Sequence, residues 1–174
     1  MNLSFNICDL KDLDRLLEIS RETFITAFAK VNNPEDFQNY INSAFNEETL
    51  KAELLNPNSS FYFVYLNSSL VGYFKLNEKD AQNEAFDTRS MELERIYVLE
   101  AFQGQQIGKL MLLKIIDIAS SKRLNFLWLG VWQENKNALR FYERHNFKIF
   151  SEHPYYIGKD KQMDWLMRLE LSQD

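Results

Sequence analysis

The apolar residues of this chain change their spacing several times along the sequence, and each change predicts a new element. Apolar and polar residues alternate weakly over Leu3–Cys8, which predicts a first strand. Asp9 can cap the helix that follows, in which apolar side chains recur at helical spacing at Leu13, Leu16, Leu17, Phe24 and Phe28. Pro34 and Asn46 mark the starts of two further helices, and the second of these ends near Leu55.

The rest of the chain alternates strands with helices. Phe61–Leu66 and Leu70–Leu76 read as an antiparallel hairpin, and the polar stretch from Lys79 to Ser90 as an exposed loop. The pattern then predicts strands at Met91–Val98, Phe126–Val131, Phe147–Tyr156 and Met163–Leu171, and helices at Gln105 to about Ser120 and at Asn135–His145. This order predicts one α/β (α+β) domain over residues 1–174, with a mixed central sheet of about seven strands and helices on both faces.

Composition narrows the functional classes. The 174 residues include 45% hydrophobic and 26% charged residues, as in an ordinary globular protein. Twenty basic against 25 acidic residues give a net charge of −5, which argues against a nucleic-acid-binding surface and mildly favours cationic partners.

The sequence also lacks several signals for other locations and cofactors. The N-terminus has no basic region followed by an apolar stretch, and no apolar run reaches the length of a membrane span, so we expect a cytoplasmic protein without membrane contact. Cys8 is the single cysteine and is expected to be a structural apolar residue. No Cys/His pair has metal-ligand spacing, so we expect no metal site.

The turn before the long helix is a candidate anion site. A helix N-terminus exposes unpaired N–H groups and the positive end of the helix dipole, and here a strand leads the chain into it. Gly104 allows close backbone approach to an anion, and Gly108 removes a side chain from the first turn, where a ligand or the preceding strand must pack. A glycine-assisted turn without a ligand explains the same two glycines.

Two motifs carry a resemblance to a known family. Val98 followed by QGQQIGKL resembles the Gln/Arg-x-x-Gly-x-Gly/Ala motif of the GNAT superfamily of acyl-CoA-dependent N-acetyltransferases, although the first motif glycine falls on Gln106. About 30 residues later, VWQENKNALRFYERHNF resembles the second cofactor segment of that superfamily, with matches at Asn135, Ala138, Phe141, Tyr142 and Phe147. Asn146 replaces the usual glycine, and asparagine is the next best residue for a left-handed turn.

The resemblance implies acetyl-CoA as co-substrate and assigns its contacts. It implies that the strand ELERIYV separates from the next strand and leaves backbone groups of Ile96 and Val98 free for the pantetheine arm. The implied cofactor-binding residues are Ile96, Tyr97, Val98, Gln103, Gly104, Gln105, Gln106, Ile107, Gly108, Lys109, Asn135, Asn137, Ala138 and Tyr142. Asn135 is equally explained as the N-cap of its own helix.

The candidate catalytic residues are those that could donate or accept the protons that the reaction moves. A leaving thiolate benefits from a proton, which a phenol can donate, and in the resemblance Tyr142 is that acid. The alternative for Tyr142 is a buried hydroxyl bonded to a backbone carbonyl. An ammonium group must lose a proton before attack, and Glu94 and Glu92 are the candidate bases, directly or through water. Strand alternation predicts that both share a face with Ile96 and Val98, and pairing with Arg95 is their alternative role.

The C-terminal half suggests the acceptor. HPYYIGKDKQMDWLMRLEL, with ELERIYV and WLGVW, resembles the PaiA-type subfamily of polyamine acetyltransferases, which implies spermidine or spermine as acceptor. Glu92, Glu94 and Asp164 would then attract the amines, and Trp132 would line the mouth of the site. The alternatives are a protein N-terminus, lysine, amino acid or antibiotic amine as acceptor, and a non-catalytic acyl-CoA sensor. Exposed aromatic residues in the terminal hairpin are compatible with a homodimer.

Overall fold

The computed structural model describes residues 2–84 and 86–172 of the chain. The helices are α1 (Leu13–Phe28), α2 (Pro34–Ala44), α3 (Glu47–Leu55), α4 (Ile107–Ser121) and α5 (Lys136–Glu143). The strands are β1 (Leu3–Ile7), β2 (Ser59–Leu66), β3 (Ser69–Glu78), β4 (Ser90–Val98), β5 (Phe126–Trp132), β6 (Lys148–Ile157) and β7 (Asp160–Glu170). Every predicted element is present, with its ends shifted by a few residues.

The described strands form one mixed sheet in the order β1-β2-β3-β4-β5-β7-β6. Each neighbouring pair is antiparallel except β4 and β5, which are parallel. A parallel pair needs a long crossover, and α4 provides it between these two strands. The predicted mixed seven-stranded sheet with helices on both faces is therefore confirmed.

Two helical layers cover the two faces of the sheet. On one face α4 buries Ile107, Met111 and Ile115 in the main core, and α5 adds Tyr142. On the other face α1 packs Leu16 and Ile19 against the aromatic residues of β2 and β3. No helix within the described residues is both long and apolar enough to cross a membrane.

The parallel strands β4 and β5 separate partway along their length. They pair only from Ser90–Glu92 to Phe126–Trp128. The amide of Leu99 donates to the carbonyl of Val71 at 2.9 Å. Since alternate residues of an antiparallel strand bond to its partner, the backbone groups of Ile96 and Val98 point away from β3 and face the gap. The predicted opening is therefore present, with one difference: the Val98 carbonyl accepts a bond of 3.0 Å from the Gln103 side chain.

A β-bulge at Glu94 overturns the predicted alternation of β4. Lys75 pairs with Arg95 and Leu76 with Leu93, which leaves Glu94 as the extra residue. Ile96 and Val98 consequently pack in the same core as Met91 and Leu93. The prediction that Glu92 and Glu94 share a face with Ile96 and Val98 was wrong, because a bulge adds one residue to the alternation and this insertion is not visible in the sequence pattern.

Candidate active site

Two cavities meet beneath the gap between β4 and β5. The first has a volume of about 490 Å³ and is lined by carboxylates and aromatic rings; the second has a volume of about 680 Å³ and reaches the start of α4. Both are lined by Phe28, Ile96, Tyr97, Asn135, Ala138 and Tyr142. A molecule in one cavity can therefore meet a molecule in the other next to Tyr142.

The N-terminus of α4 opens into the second cavity without a protein cap. The helix begins at Ile107 rather than at Gln105 as predicted, because Gln106 has a left-handed backbone with φ of 65°. Among the described residues no side chain caps this end, and no acidic residue lies in its first turn. Helices α2 and α3, by contrast, each have a capping side chain and acidic residues in the first turn. The first N–H groups of α4 therefore remain available to an anion.

The two glycines of this turn have different roles. Gly104 has φ of 74°, a conformation that glycine adopts without strain. A Cβ added to Gly108 would meet no atom within 4 Å, so the surrounding protein does not require glycine at that position. The open space beside Gly108 is consistent with a ligand rather than with contact to the preceding strand.

The end of α5 fixes the position of Tyr142. Asn146 has a left-handed backbone with φ of 66°, as predicted, and the amide of Phe147 donates to the carbonyl of Tyr142 at 3.1 Å. The Tyr142 ring packs against Phe141 and Phe147. Within the described residues its hydroxyl has no hydrogen-bond partner, and burial raises the Tyr142 pKa. The alternative of a hydroxyl bonded to a backbone carbonyl is therefore absent, and Tyr142 remains a proton donor at neutral pH.

The two carboxylates of β4 have opposite surroundings. Glu92 is buried and, within residues 2–84 and 86–172, accepts only from neutral groups, which are the Asn83 amide at 2.9 Å, the Asn83 side chain at 2.8 Å and the Asn77 side chain at 3.1 Å. Burial is the largest cause of its raised pKa, and the charge of Glu94 adds to it. A carboxylate of raised pKa is the better proton acceptor of the two.

Glu94 belongs instead to an ion-pair network. It pairs with Lys75 at 2.6 Å and with Arg95 at 3.1 Å, and Glu53 of α3 pairs with both cations. Burial acts to raise the Glu94 pKa, but the two cations outweigh it and the pKa lies below its ordinary value. The pairing with Arg95 that competed with a catalytic role in the sequence is thus observed.

Comparisons with known proteins identify the family. The family model described as acetyltransferase (GNAT) family matches residues 13–147. The chain belongs to this GNAT family. An uncharacterized N-acetyltransferase of Lactobacillus delbrueckii subsp. lactis is 40% identical over 165 residues, which cover 92% of this chain and 93% of that protein.

Two further comparisons concern proteins of Thermoplasma acidophilum. Spermidine N(1)-acetyltransferase of Thermoplasma acidophilum is 26% identical over 153 residues, covering 86% of this chain and 90% of that protein. The crystal structure of the PaiA N-acetyltransferase from Thermoplasma acidophilum in complex with coenzyme A superposes with a TM-score of 0.76 at 22% identity, covering 98% and 99% of the two chains. The fold of this chain is therefore the GNAT fold.

The protein is accordingly an N-acetyltransferase with acetyl-CoA as its co-substrate. The second cavity fits this molecule, because it combines an uncapped helix start, a backbone edge of β4 and a cation. Among the described residues that line it, Arg144 is the single basic one, and the sequence motifs did not reveal it. No group of three or more His, Cys, Asp or Glu side chains within residues 2–84 and 86–172 could hold a metal ion.

Most of the implied cofactor residues of this GNAT enzyme lie on the second cavity. Gln105 and Lys109 are the exceptions, since neither is among its lining residues. Asn135 lines both cavities and also caps α5 by accepting from the amide of Ala138 at 3.1 Å, so the two explanations considered for it are compatible.

The first cavity of the GNAT enzyme includes residues that sequence reasoning missed. The predicted surface loop before β4 contributes Asn83, and its Glu84 contacts His153 of β6 at 3.0 Å. His153 pairs in register with Asp164 of β7, which the sequence did assign to the acceptor and whose carboxylate lies beside Gly130. Their shared position follows from the order of the strands and from the path of the loop, neither of which is visible in local spacing.

A substitution at Gln106 tests the left-handed start of α4. A non-glycine residue in this conformation is strained by about 1 kcal/mol, so the free energy of unfolding of Gln106→Gly is expected to exceed that of the control Gln105→Gly by about 1 kcal/mol. Urea unfolding without ligand measures it. Gln105→Gly is the matched control, because Gln105 has no positive φ: glycine there adds the same freedom to the unfolded chain and removes one exposed bond of 3.5 Å to the Ala101 carbonyl, but relieves no strain. Equal changes in both variants would contradict the explanation.

Proposed function

We propose that this enzyme transfers the acetyl group to a primary amine of a polyamine such as spermidine or spermine, by direct attack while both substrates are bound. The observation that carries this proposal is a cavity with carboxylates at two separate points, Glu92 inside and Asp164 further along. A single amine needs one such group, whereas a polycation uses both. The spermidine acetyltransferase among the relatives supports the same acceptor class.

The strand register sets the length of acceptor that the cavity suits. Glu92 lies opposite Trp128 of β5, and Asp164 lies opposite Trp132 four residues further along the same strand. At 3.3 Å per residue this is about 13 Å between the two backbone positions, so a long amine chain can approach both carboxylates. Aromatic side chains of Trp128 and Trp132 line the path and suit a cation with an aliphatic chain.

The second cavity is proposed to hold acetyl-CoA. The free backbone groups of Ile96 and the amide of Val98 suit the amide-bearing arm, while the first N–H groups of α4 and the Arg144 side chain suit its phosphates. When bound, the thioester supplies an activated acetyl group beside Tyr142.

Two side chains then handle the protons. Glu92 accepts a proton from the ammonium group, which frees the nitrogen lone pair to attack the thioester carbonyl. Tyr142 donates its hydroxyl proton to the sulfur as the carbon–sulfur bond breaks, and the tyrosinate then recovers a proton from the acetylated nitrogen, which becomes the neutral amide. Glu92 releases to solvent the proton that it accepted, so both side chains return to their starting states. Transfer needs no covalent enzyme intermediate. Cys8 lines neither cavity, and burial raises the pKa of its thiol to about 12, which keeps it protonated.

An amine panel tests the proposal. The purified protein is mixed with acetyl-CoA and spermidine, spermine, n-butylamine, lysine, an aminoglycoside or a peptide with a free N-terminus, and thiol release is followed. We expect kcat/KM to be highest for the polyamines. A higher value for a peptide, amino acid or antibiotic would replace the acceptor class, and coenzyme A binding without release for any amine would indicate a sensor.

Asp164 should control polyamine binding in a pH-dependent way. Burial is the main cause of its raised pKa of about 6, and nearby His153 opposes it. The carboxylate is therefore ionised above pH 6 and loses its charge as the pH falls through that value. At pH 8, Asp164→Asn is expected to raise the KM for spermidine about tenfold, equivalent to about 1.4 kcal/mol.

The control acceptor for Asp164 is n-butylamine, which carries one charge and has no second ammonium for this residue. The KM for n-butylamine should change less than about twofold in Asp164→Asn. In the wild type, protonation of Asp164 below pH 6 should raise the KM for spermidine but not the KM for n-butylamine. Equal increases for both amines would show that Asp164 shapes the cavity rather than binding a second charge. Measuring KM at fixed pH separates this effect from the proton transfer of Glu92.

A further inference from the structure

Asn77 of β3 is a fully buried polar side chain that touches both glutamates of β4. Its Nδ2 lies 3.1 Å from Oε2 of Glu92 and 2.5 Å from Oε2 of Glu94. Its Oδ1 accepts from the hydroxyl of Ser59 at 2.9 Å. The amide orientation follows from chemistry, because ionised carboxylates can only accept and the serine hydroxyl can donate.

The bulge in β4 explains why one amide can reach two carboxylates. Asn77 pairs in register with Glu92, and Glu94 is the residue that the ladder skips. The bulge directs the side chains of Glu94 and Arg95 toward the same side of the strand, where they form an ion pair at 3.1 Å. Two carboxylates thus share a buried region, and Asn77 lies between them.

We propose that Asn77 is a positioning residue for the acetyl transfer, which orients Glu92 to accept the proton of the acceptor amine and keeps Glu94 apart as a structural anion. The proposal rests on the proposed function of Glu92 as the base. Asn77 contacts neither cavity and acts through Glu92. A buried amide that donates to a carboxylate stabilises its ionised form, so the loss of Asn77 makes Glu92 harder to ionise.

The charges around the two glutamates make Asn77 important. Lys75 and Arg95 lie on the Glu94 side and are shared with Glu53, so this group of four carries no net charge. Glu92 has no ion-pair partner among the described residues, and its other donor is Asn83 of the loop. Asn77 is therefore the side chain that bonds both to Glu92, which has neutral neighbours, and to Glu94, which belongs to the ion-pair network.

Three variants test the role of Asn77 in the full-length protein. Asn77→Leu keeps a similar volume and removes the donor, Asn77→Asp adds a third acid, and Ser59→Ala removes the bond that orients the amide. Each is expected to move the acid limb of the kcat/KM profile to higher pH, by about one unit for Asn77→Leu and less for Ser59→Ala. Asn58→Ala is the matched control, because Asn58 donates to Asp80 outside the site and should leave the limb in place.

A second readout does not depend on turnover. The carboxyl carbons of the glutamates are labelled with carbon-13, Glu92 is assigned by loss of its signal in Glu92→Gln, and its titration is followed by NMR without ligands. The Glu92 midpoint should rise in Ser59→Ala and Asn77→Leu. If Asn77→Leu does not fold, Ser59→Ala and Asn77→Asp carry the test.

The two proposals fail in different ways. An unchanged Glu92 titration and an unchanged acid limb in folded variants would overturn the role of Asn77, even if activity dropped. A wild-type protein that acetylates no amine would overturn the proposed function, whereas the NMR titration would still measure whether Asn77 controls Glu92. Coenzyme A binding by calorimetry should stay within about twofold in all variants, because Asn77 does not line the second cavity.

Discussion

Tyr142→Phe is expected to lower kcat by about 10²- to 10⁴-fold, the range in which general acid catalysis contributes. The substitution removes one oxygen and keeps the ring that packs against Phe141 and Phe147. Its hydroxyl has no partner within the described residues, so no buried group loses a hydrogen bond. Steady-state kinetics with acetyl-CoA and the best amine measure the effect.

Binding and folding are the controls for Tyr142→Phe. The affinity for coenzyme A and the free energy of unfolding should both stay near the wild-type values, because the packing is retained. Tyr155→Phe is a matched control, since Tyr155 is a half-buried tyrosine of the first cavity whose hydroxyl bonds to Tyr40. A kcat within threefold of wild type for Tyr142→Phe would exclude the proton donor role.

Glu92→Gln should lower kcat at neutral pH by a comparable factor of about 10² or more. Glutamine keeps the size of the side chain but cannot accept and hold the proton of an ammonium group. The wild-type rate should fall as the pH drops through the raised pKa of Glu92, because protonation removes the base. In the variant this acid limb should be absent, and a pH series of kcat/KM shows it.

Glu94→Gln is the matched comparison for Glu92→Gln, and we expect it to reduce the stability of the fold rather than to remove the catalytic base. It leaves Lys75 and Arg95 with Glu53 as their remaining carboxylate, so we expect a loss of stability of about 3 kcal/mol or more. Its folded fraction should keep an acid limb, moved to lower pH, because the charge of Glu94 contributes to the raised pKa of Glu92. If instead Glu94→Gln removed that limb and Glu92→Gln kept it, the two roles would be exchanged.

The sequence was sufficient where local chemistry decides the structure. The left-handed residue Asn146 follows from a backbone preference that acts within a few residues, whereas the left-handed Gln106 moved the start of α4 two residues beyond the predicted one. The alternation of strands and helices also predicted a mixed sheet. Tyr142 could be singled out because the residues of its motif lie close together in the chain, between Asn135 and Phe147.

The sequence was insufficient where distant segments meet. The bulge at Glu94 is an insertion relative to β3, so its partner strand defines it rather than its own pattern. Asn77 and Asn83 look like ordinary polar residues in the chain, and their contacts to Glu92 exist only in the folded sheet. Arg144 lies two residues after Tyr142, immediately past the end of α5, and without the cavity nothing distinguished it from other surface cations.

The gap between β4 and β5 also has a consequence for the handling of the enzyme. Where β4 and β5 separate, the folded protein lacks backbone hydrogen bonds that a continuous sheet would contain. A coenzyme that supplies these bonds binds the folded state and not the unfolded state, and it therefore stabilises the fold. The melting temperature of the enzyme should therefore rise with the concentration of coenzyme A. At a coenzyme concentration of a hundred times Kd, the free energy of unfolding should increase by about 2.7 kcal/mol. The enzyme without coenzyme A is thus less stable than the bound enzyme, and storage with coenzyme A should slow its loss of activity.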